Sequence, residues 1–159
     1  MRKHQKGFSL IELLIVVAII LIIAAIAIPN LLRSRMAANE ASAVGSLRTI
    51  NTAEVTYATT YPTIGFAALT ALGGTAPCTS ATSTSACLLD DVLSGAAATK
   101  SGYLFTVANL TGTPVVTYTS VATPTVIGQS GQRGFYSDQS GVIRYTTDGT
   151  APTNASPAL

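Results

Sequence analysis

Apolar positions are laid along this chain in three different ways, and each way predicts a different element. From Phe8 to Ile28 they are nearly continuous (FSLIELLIVVAIILIIAAIAI), with no polar side chain between Leu13 and Ile28. A run without alternation and without a polar stripe predicts a helix that is apolar all round. At about 1.5 Å per residue it would extend roughly 31 Å, the hydrocarbon thickness of a bilayer. The segment reads as a membrane span or as the buried core of an assembly. One carboxylate, Glu12, stands near its start.

Beyond Leu31 the pattern turns one-sided. Ala43, Leu47, Ile50, Ala53, Tyr57 and Tyr61 recur at three- and four-residue steps, one face of a helix, while Arg33, Arg35, Asn39, Arg48 and Asn51 fall mostly elsewhere. Pro29 lacks an N–H and predicts a kink or local break where the apolar run ends. Pro62 predicts the stop. The helix is therefore expected from Phe8 to Tyr61, about 80 Å of helix at the same rise.

The third pattern is alternation. Residues 62–102 are loop-like, rich in Gly, Pro, Ser and Thr, with short helical turns expected around Phe66–Leu72 and Leu88–Leu93. Strands are predicted at Tyr103–Val107, Val115–Val121, Gly134–Ser137 and Val142–Tyr145, with turns at Asn109–Pro114 and Asp138–Gly141. The small, polar tail from Asp148 to Leu159 is expected to be poorly ordered. The fold class is α+β: a long N-terminal helix, kinked near Pro29, packed on an antiparallel sheet of about four strands. The organisation follows as 1–7, 8–29, 30–61, 62–102, 103–147 and 148–159.

Charge sharpens the first segment. The chain has 9 Lys+Arg against 7 Asp+Glu, but Arg2, Lys3 and Lys6 precede the apolar run, and without them the balance turns slightly acidic. That balance makes no case for a generally basic, nucleic-acid-binding protein, and leaves nucleic acid as a minor alternative partner. A basic stretch before an apolar one marks the cytoplasmic side. A cleaved secretory signal begins in the same way, and Ala25-Ile26-Ala27 supplies a small-residue cleavage site, so that alternative stays open. The longer core and the charge of Glu12 weigh against it. Cys78 and Cys87 lie beyond the apolar segment; outside the cytoplasm they would form a disulfide, in a reducing compartment two free thiols.

The residues K-G-F-S-L-I-E-L-L-I-V-V-A-I-I, followed by A-I-A-I-P-N, resemble the N-terminus of type IV prepilins and of the related pseudopilins of type II secretion. The resemblance spans residues 6–30 and fades by residue 65. It implies a pilin fold and a leader, residues 1–7, removed by a prepilin peptidase between Gly7 and Phe8, with Phe8 N-methylated. It implies that Phe8, Glu12 and Pro29 serve assembly. Many family members carry a mid-segment glycine where Leu21 stands here, so local unwinding of the helix there does not carry over.

An ionisable group in a membrane helix is costly and calls for a named partner. Cleavage would create an amine at Phe8, four residues before Glu12. In a helical filament the amine of one subunit would meet the carboxylate of its neighbour, and a misregistered subunit would leave both unpaired. The bland reading is that Glu12 complements the helix dipole, worth about 0.3–1 kcal/mol.

Catalytic chemistry is not legible. The lone histidine, His4, lies in the expected leader. Asp90, Asp91, Asp138 and Asp148 are too scattered for a calcium loop, and the paired glycines read as turns. No enzyme, cofactor or metal site is expected. Asn109-Leu110-Thr111 and Asn154-Ala155-Ser156 match the glycosylation tripeptide without specificity. Arg33 and Arg35 read as solvated or intersubunit charges in preference to a DNA contact.

Three function classes remain. The first is a major pilin: a precursor in the inner membrane that the pilus assembly machinery builds into a homo-oligomeric surface filament. The second is a minor pilin or a periplasm-spanning pseudopilin. The third is a membrane-anchored or secreted binding module. A mature N-terminus at Phe8 separates the first two from the third.

Overall fold

The structure, a computed structural model, describes residues 8–74 and 77–159. The chain forms two compact units, Met1–Arg35 and Met36–Leu159. The expected leader and its cleavage residue Gly7 lie outside the described residues.

Helix α1 runs from Leu10 to Thr60, 51 residues, within two residues of the expected bounds. Of the kink or local break expected at Pro29, the break is corrected: the helix continues through the proline. A proline there removes one backbone hydrogen bond, and the helix-compatible apolar residues on either side keep the ladder going. In the first unit the apolar side chains of α1 are exposed all round; Leu10 is 75% exposed and Ile28 65%. This is the one candidate membrane span among the described residues.

In the second unit α1 buries Ala43, Leu47, Ile50, Ala53 and Tyr57, the face its periodicity predicts. Against them lie Tyr103, Phe105, Ala122 and Phe135, with Tyr61 and Val107 at the margin. Those four come from a five-stranded antiparallel sheet in sequence order: β1 (Thr99–Lys100), β2 (Tyr103–Gly112), β3 (Val115–Pro124), β4 (Gly134–Asp138) and β5 (Arg144–Thr146). The register sets Phe105 opposite Ala122 and Ala122 opposite Phe135, so one face of three strands meets the helix.

The sheet has one short strand more than expected. The turn expected over Asn109–Pro114 is tighter: β2 and β3 run on to Gly112 and Val115, joined through the cis Thr113–Pro114 bond. The β2–β3 ladder slips between Ala108 and Thr111, where Asn109 has φ 53°. A bulge there absorbs the residues that otherwise read as a turn. The Asp138 side chain accepts from the Ser140 N–H, which closes the expected turn into β5. The expected helical turns shrink to α2 (Leu69–Leu72) and α3 (Asp91–Ser94). The tail is also corrected. It is tied back along β5, with Tyr145 N–H donating to Pro157 O at 3.0 Å and Leu159 N–H to Ile143 O at 2.9 Å. Polar tails stay loose only where their backbone groups find no partner, and an edge strand offers a row of them.

Candidate functional site

The site the sequence singles out lies at the start of α1. Ser9 precedes the first helical residue, and Glu12 stands three places on, the S-x-x-E spacing of a capping box. Half of that box is formed: the Ser9 N–H donates to Glu12 Oε2 at 2.9 Å. The carboxylate thus takes up one of the donors a helix start leaves unsatisfied, at the end where the dipole favours negative charge. Around it Phe8, Leu10, Ile11, Leu13 and Leu14 are all exposed. Within a single chain Glu12 is a capping residue, and no described cation pairs with it. Phe8 lies just outside the helix, and Pro29 is exposed within it.

Cys78 and Cys87 are joined, with Cα atoms 5.8 Å apart. The bridge closes the Ser/Thr loop, and α1 holds that loop from below through Tyr57, whose hydroxyl donates to Ser83 O. The Asp90 side chain accepts from Leu93 N–H as the N-cap of α3 and pairs with Lys100 at 3.0 Å. Among the described residues no three His, Cys, Asp or Glu side chains gather as metal ligands would.

Two further glutamates on α1 carry charge into the head. Glu40 is buried and fully used. Its Oε1 accepts from the Gln132 and Arg133 N–H groups at 2.9 and 3.1 Å, and its Oε2 from Arg133 Nε at 2.7 Å. Burial alone would raise its pKa; the three donors and the guanidinium outweigh burial and hold it below the usual carboxylate range. Arg133 also lies over the rings of Phe135 and Tyr145, at 5.4 and 5.7 Å from their centroids. Glu54 has no exposed surface and one hydrogen bond. Sequence reasoning missed both, although the spacing carried them: 40, 43, 47, 50, 54 and 57 is one unbroken series of three- and four-residue steps. Asn39 and Asn51 were expected off the buried face, yet both reach the sheet side. Asn39 Nδ2 donates to Ser130 O, and Asn51 Nδ2 to Ser137 Oγ, each at 2.8 Å.

The family profile described as "Prokaryotic N-terminal methylation motif" matches residues 2–28. The type IV wide pilus major component PilA4 of Thermus thermophilus is 63% identical over 38 residues, 24% of this chain and 29% of the relative. The type IV major pilin protein PilA of Myxococcus xanthus is 46% identical over 54 residues, 34% of this chain and 24% of the relative. The chain thus spans about a quarter of the length of the curated relatives it matches. No solved structure matches the chain. Its N-terminal segment is similar to those of type IV pilins, and the chain as a whole has an α+β arrangement of one long helix and an antiparallel sheet.

Proposed function

We propose that the chain is a major pilin: a structural subunit that polymerises through the apolar half of α1 after a peptidase cuts between Gly7 and Phe8. The observation that carries the reading is the helix of the first unit. Its apolar side chains are exposed on every side, and its single carboxylate has only a backbone partner. Such a surface calls for lipid before assembly and for other copies of itself afterwards. The amine of a cleaved Phe8, N-methylated as the matched motif suggests, supplies Glu12 with a charged partner from the neighbouring subunit. The inner membrane holds the precursor, and the surface filament is the product. Both curated relatives are named as major components, which favours this reading over a pseudopilin or minor pilin. The sheet and the disulfide loop then form the outer surface, and the role is structural rather than catalytic.

The test is the variant Glu12→Ala, with Glu12→Gln beside it. Both should be processed to an N-methylated Phe8, read by mass spectrometry, and remain in the membrane fraction. Neither should yield sheared filaments. Wild-type yields of filament from Glu12→Ala, or a mature N-terminus other than Phe8, would overturn the proposal.

A further inference from the structure

Glu54 is a buried acid whose needs the head leaves unmet. Oε2 accepts the Ala67 N–H at 2.9 Å. Oε1 is buried without a partner, alone in this among the side-chain polar atoms of the described residues. The titratable groups that face it are phenols: Tyr57 one turn on along α1, and Tyr118 from β3. The head's two ion pairs, Lys100–Asp90 and Arg133–Glu40, draw on other residues. Glu54 therefore sits in a buried site with one protein donor and no cation beside it.

The donor belongs to the segment that leaves α1. Tyr61 to Ala67 turns the chain from the helix towards α2, and few bonds hold it down. Val115 N–H donates to Ile64 O at 2.8 Å, and Phe66 N–H to Val115 O at 3.0 Å. Gly65, at φ +85°, lies so close to the Val115 backbone that a Cβ would overlap the carbonyl oxygen. The Phe66 ring packs edge-on against Tyr118, centroids 4.8 Å apart. Tyr61 continues the helix ladder through its N–H on Tyr57 O at 2.8 Å, and beyond it the Ala67 N–H on Glu54 is the hydrogen bond that returns the segment to the flank of α1.

We propose that Glu54 is a proton-controlled latch: its neutral carboxyl holds residues 61–67 against α1, and its carboxylate releases them. A neutral acid leaves one weakly polar oxygen unsatisfied. A carboxylate leaves a charged one, which in an apolar site costs far more and is relieved only by admitting water. Admitting water means lifting the segment that covers it. Burial pushes the Glu54 carboxyl up to about 7, against which the Ala67 N–H pulls only in part. The folded head then holds its proton more tightly than the unfolded chain. The stability this group contributes is complete below the ordinary value near 4.5 and is lost as pH rises through about 7, because desolvation of the carboxylate outweighs its stronger bond to Ala67. Glu40 and Asp138 behave oppositely. In both, burial is outweighed by hydrogen bonds that hold the carboxyl low, so their contribution is lost only on acidification through those lowered values. Tyr57 and Tyr118 are pushed up by burial and stay protonated throughout. A decline between pH 5 and 8.5 therefore isolates Glu54 among these groups.

The experiment is amide hydrogen exchange by NMR on the full chain in detergent micelles, corrected for the intrinsic pH dependence of exchange. Protection at Phe66 and Ala67 should fall by at least tenfold, and by on the order of a hundredfold if the whole shift is expressed, between pH 5 and 8.5. The midpoint should coincide with the titration of the Glu54 carboxyl carbon. Protection at Leu47 and Ile50 should change less. Glu54→Gln keeps an acceptor for Ala67 and should abolish the pH dependence. Flat protection in the native chain, a carboxyl midpoint below 5, or the same decline in Glu54→Gln would each overturn the latch. Should Glu54→Gln fail to fold, coincidence of the two midpoints in the native chain decides alone.

Discussion

The two halves of α1 share a backbone and little else. Before Arg35 its leucines and isoleucines are more than half exposed almost throughout, and its one acid lies at the helix start on a backbone N–H. After Met36, Leu47 and Ile50 have no exposed surface, and two acids lie inside the head. The first half leaves its apolar side chains exposed within the single chain. The second half meets its needs internally, apart from one oxygen of Glu54. The function proposed above uses both: a half that is unfinished alone and a half that folds alone. The same kind of substitution should therefore have opposite readouts in the two halves.

The largest contrast is Leu→Ala. Leu47→Ala should destabilise the head by about 3 kcal/mol, since truncating a fully buried leucine costs its transfer energy and leaves a cavity. Leu21→Ala, at a 63% exposed position, should shift head unfolding in micelles by no more than about 0.5 kcal/mol. Near-UV circular dichroism of the tyrosines during urea unfolding reads both. Equal effects would dissolve the division.

Next comes Glu40→Ala. It strips the Gln132 and Arg133 N–H groups and the Arg133 side chain of their acceptor at once, and should cost roughly 2–3 kcal/mol. Because the Glu40 carboxyl is held low, its contribution is present above about pH 4.5 and lost below. The native head should therefore lose stability on acidification faster than the variant. A parallel acid limb in both would assign the loss to other carboxylates.

Replacing Cys78 and Cys87 by serine should cost somewhat less, about 2.5 kcal/mol on the loop-entropy account for a ring of this size. The effect should be confined to the head, and filament yield should fall only as far as folding does. A variant that folds normally but no longer assembles would move the loop from outer surface to subunit contact.

How far the sequence carried this division follows from the kind of signal each element left. An unbroken apolar run from Leu13 to Ile28 and a face at three- and four-residue steps gave α1 almost to its ends. Proline at 29 did not break the helix because its cost, one hydrogen bond and some strain, is small beside the helix around it. Asn109 and Thr111 misled because turn-formers also make bulges, and only a partner strand decides between them. The tail misled because polar composition says nothing of an edge strand waiting to pair. Glu40 and Glu54 lay on the buried face in plain spacing, but nothing local distinguishes an acid met by Arg133, more than ninety residues away, from one met by a single N–H. Glu12 was legible as a chemical question, but its hydrogen bond to the Ser9 N–H was not, because S-x-x-E spacing was overlooked beside the apolar run.

The smallest effect tests the joint between the buried face of α1 and the disulfide loop. The Tyr57 hydroxyl donates to Ser83 O from a side chain that is otherwise buried. Tyr57→Phe keeps the ring and its packing on Tyr61. It removes only the donor, and since Ser83 is half-buried, water can replace that donor in part. The cost should be about 1 kcal/mol. It should also depend on the bridge: once the cysteines are serine, the loop is free to move away and the hydroxyl has less to hold. A double-mutant cycle should then give a coupling of at least about 0.5 kcal/mol, as expected for groups in contact. Strict additivity would mean that α1 positions this loop through packing alone.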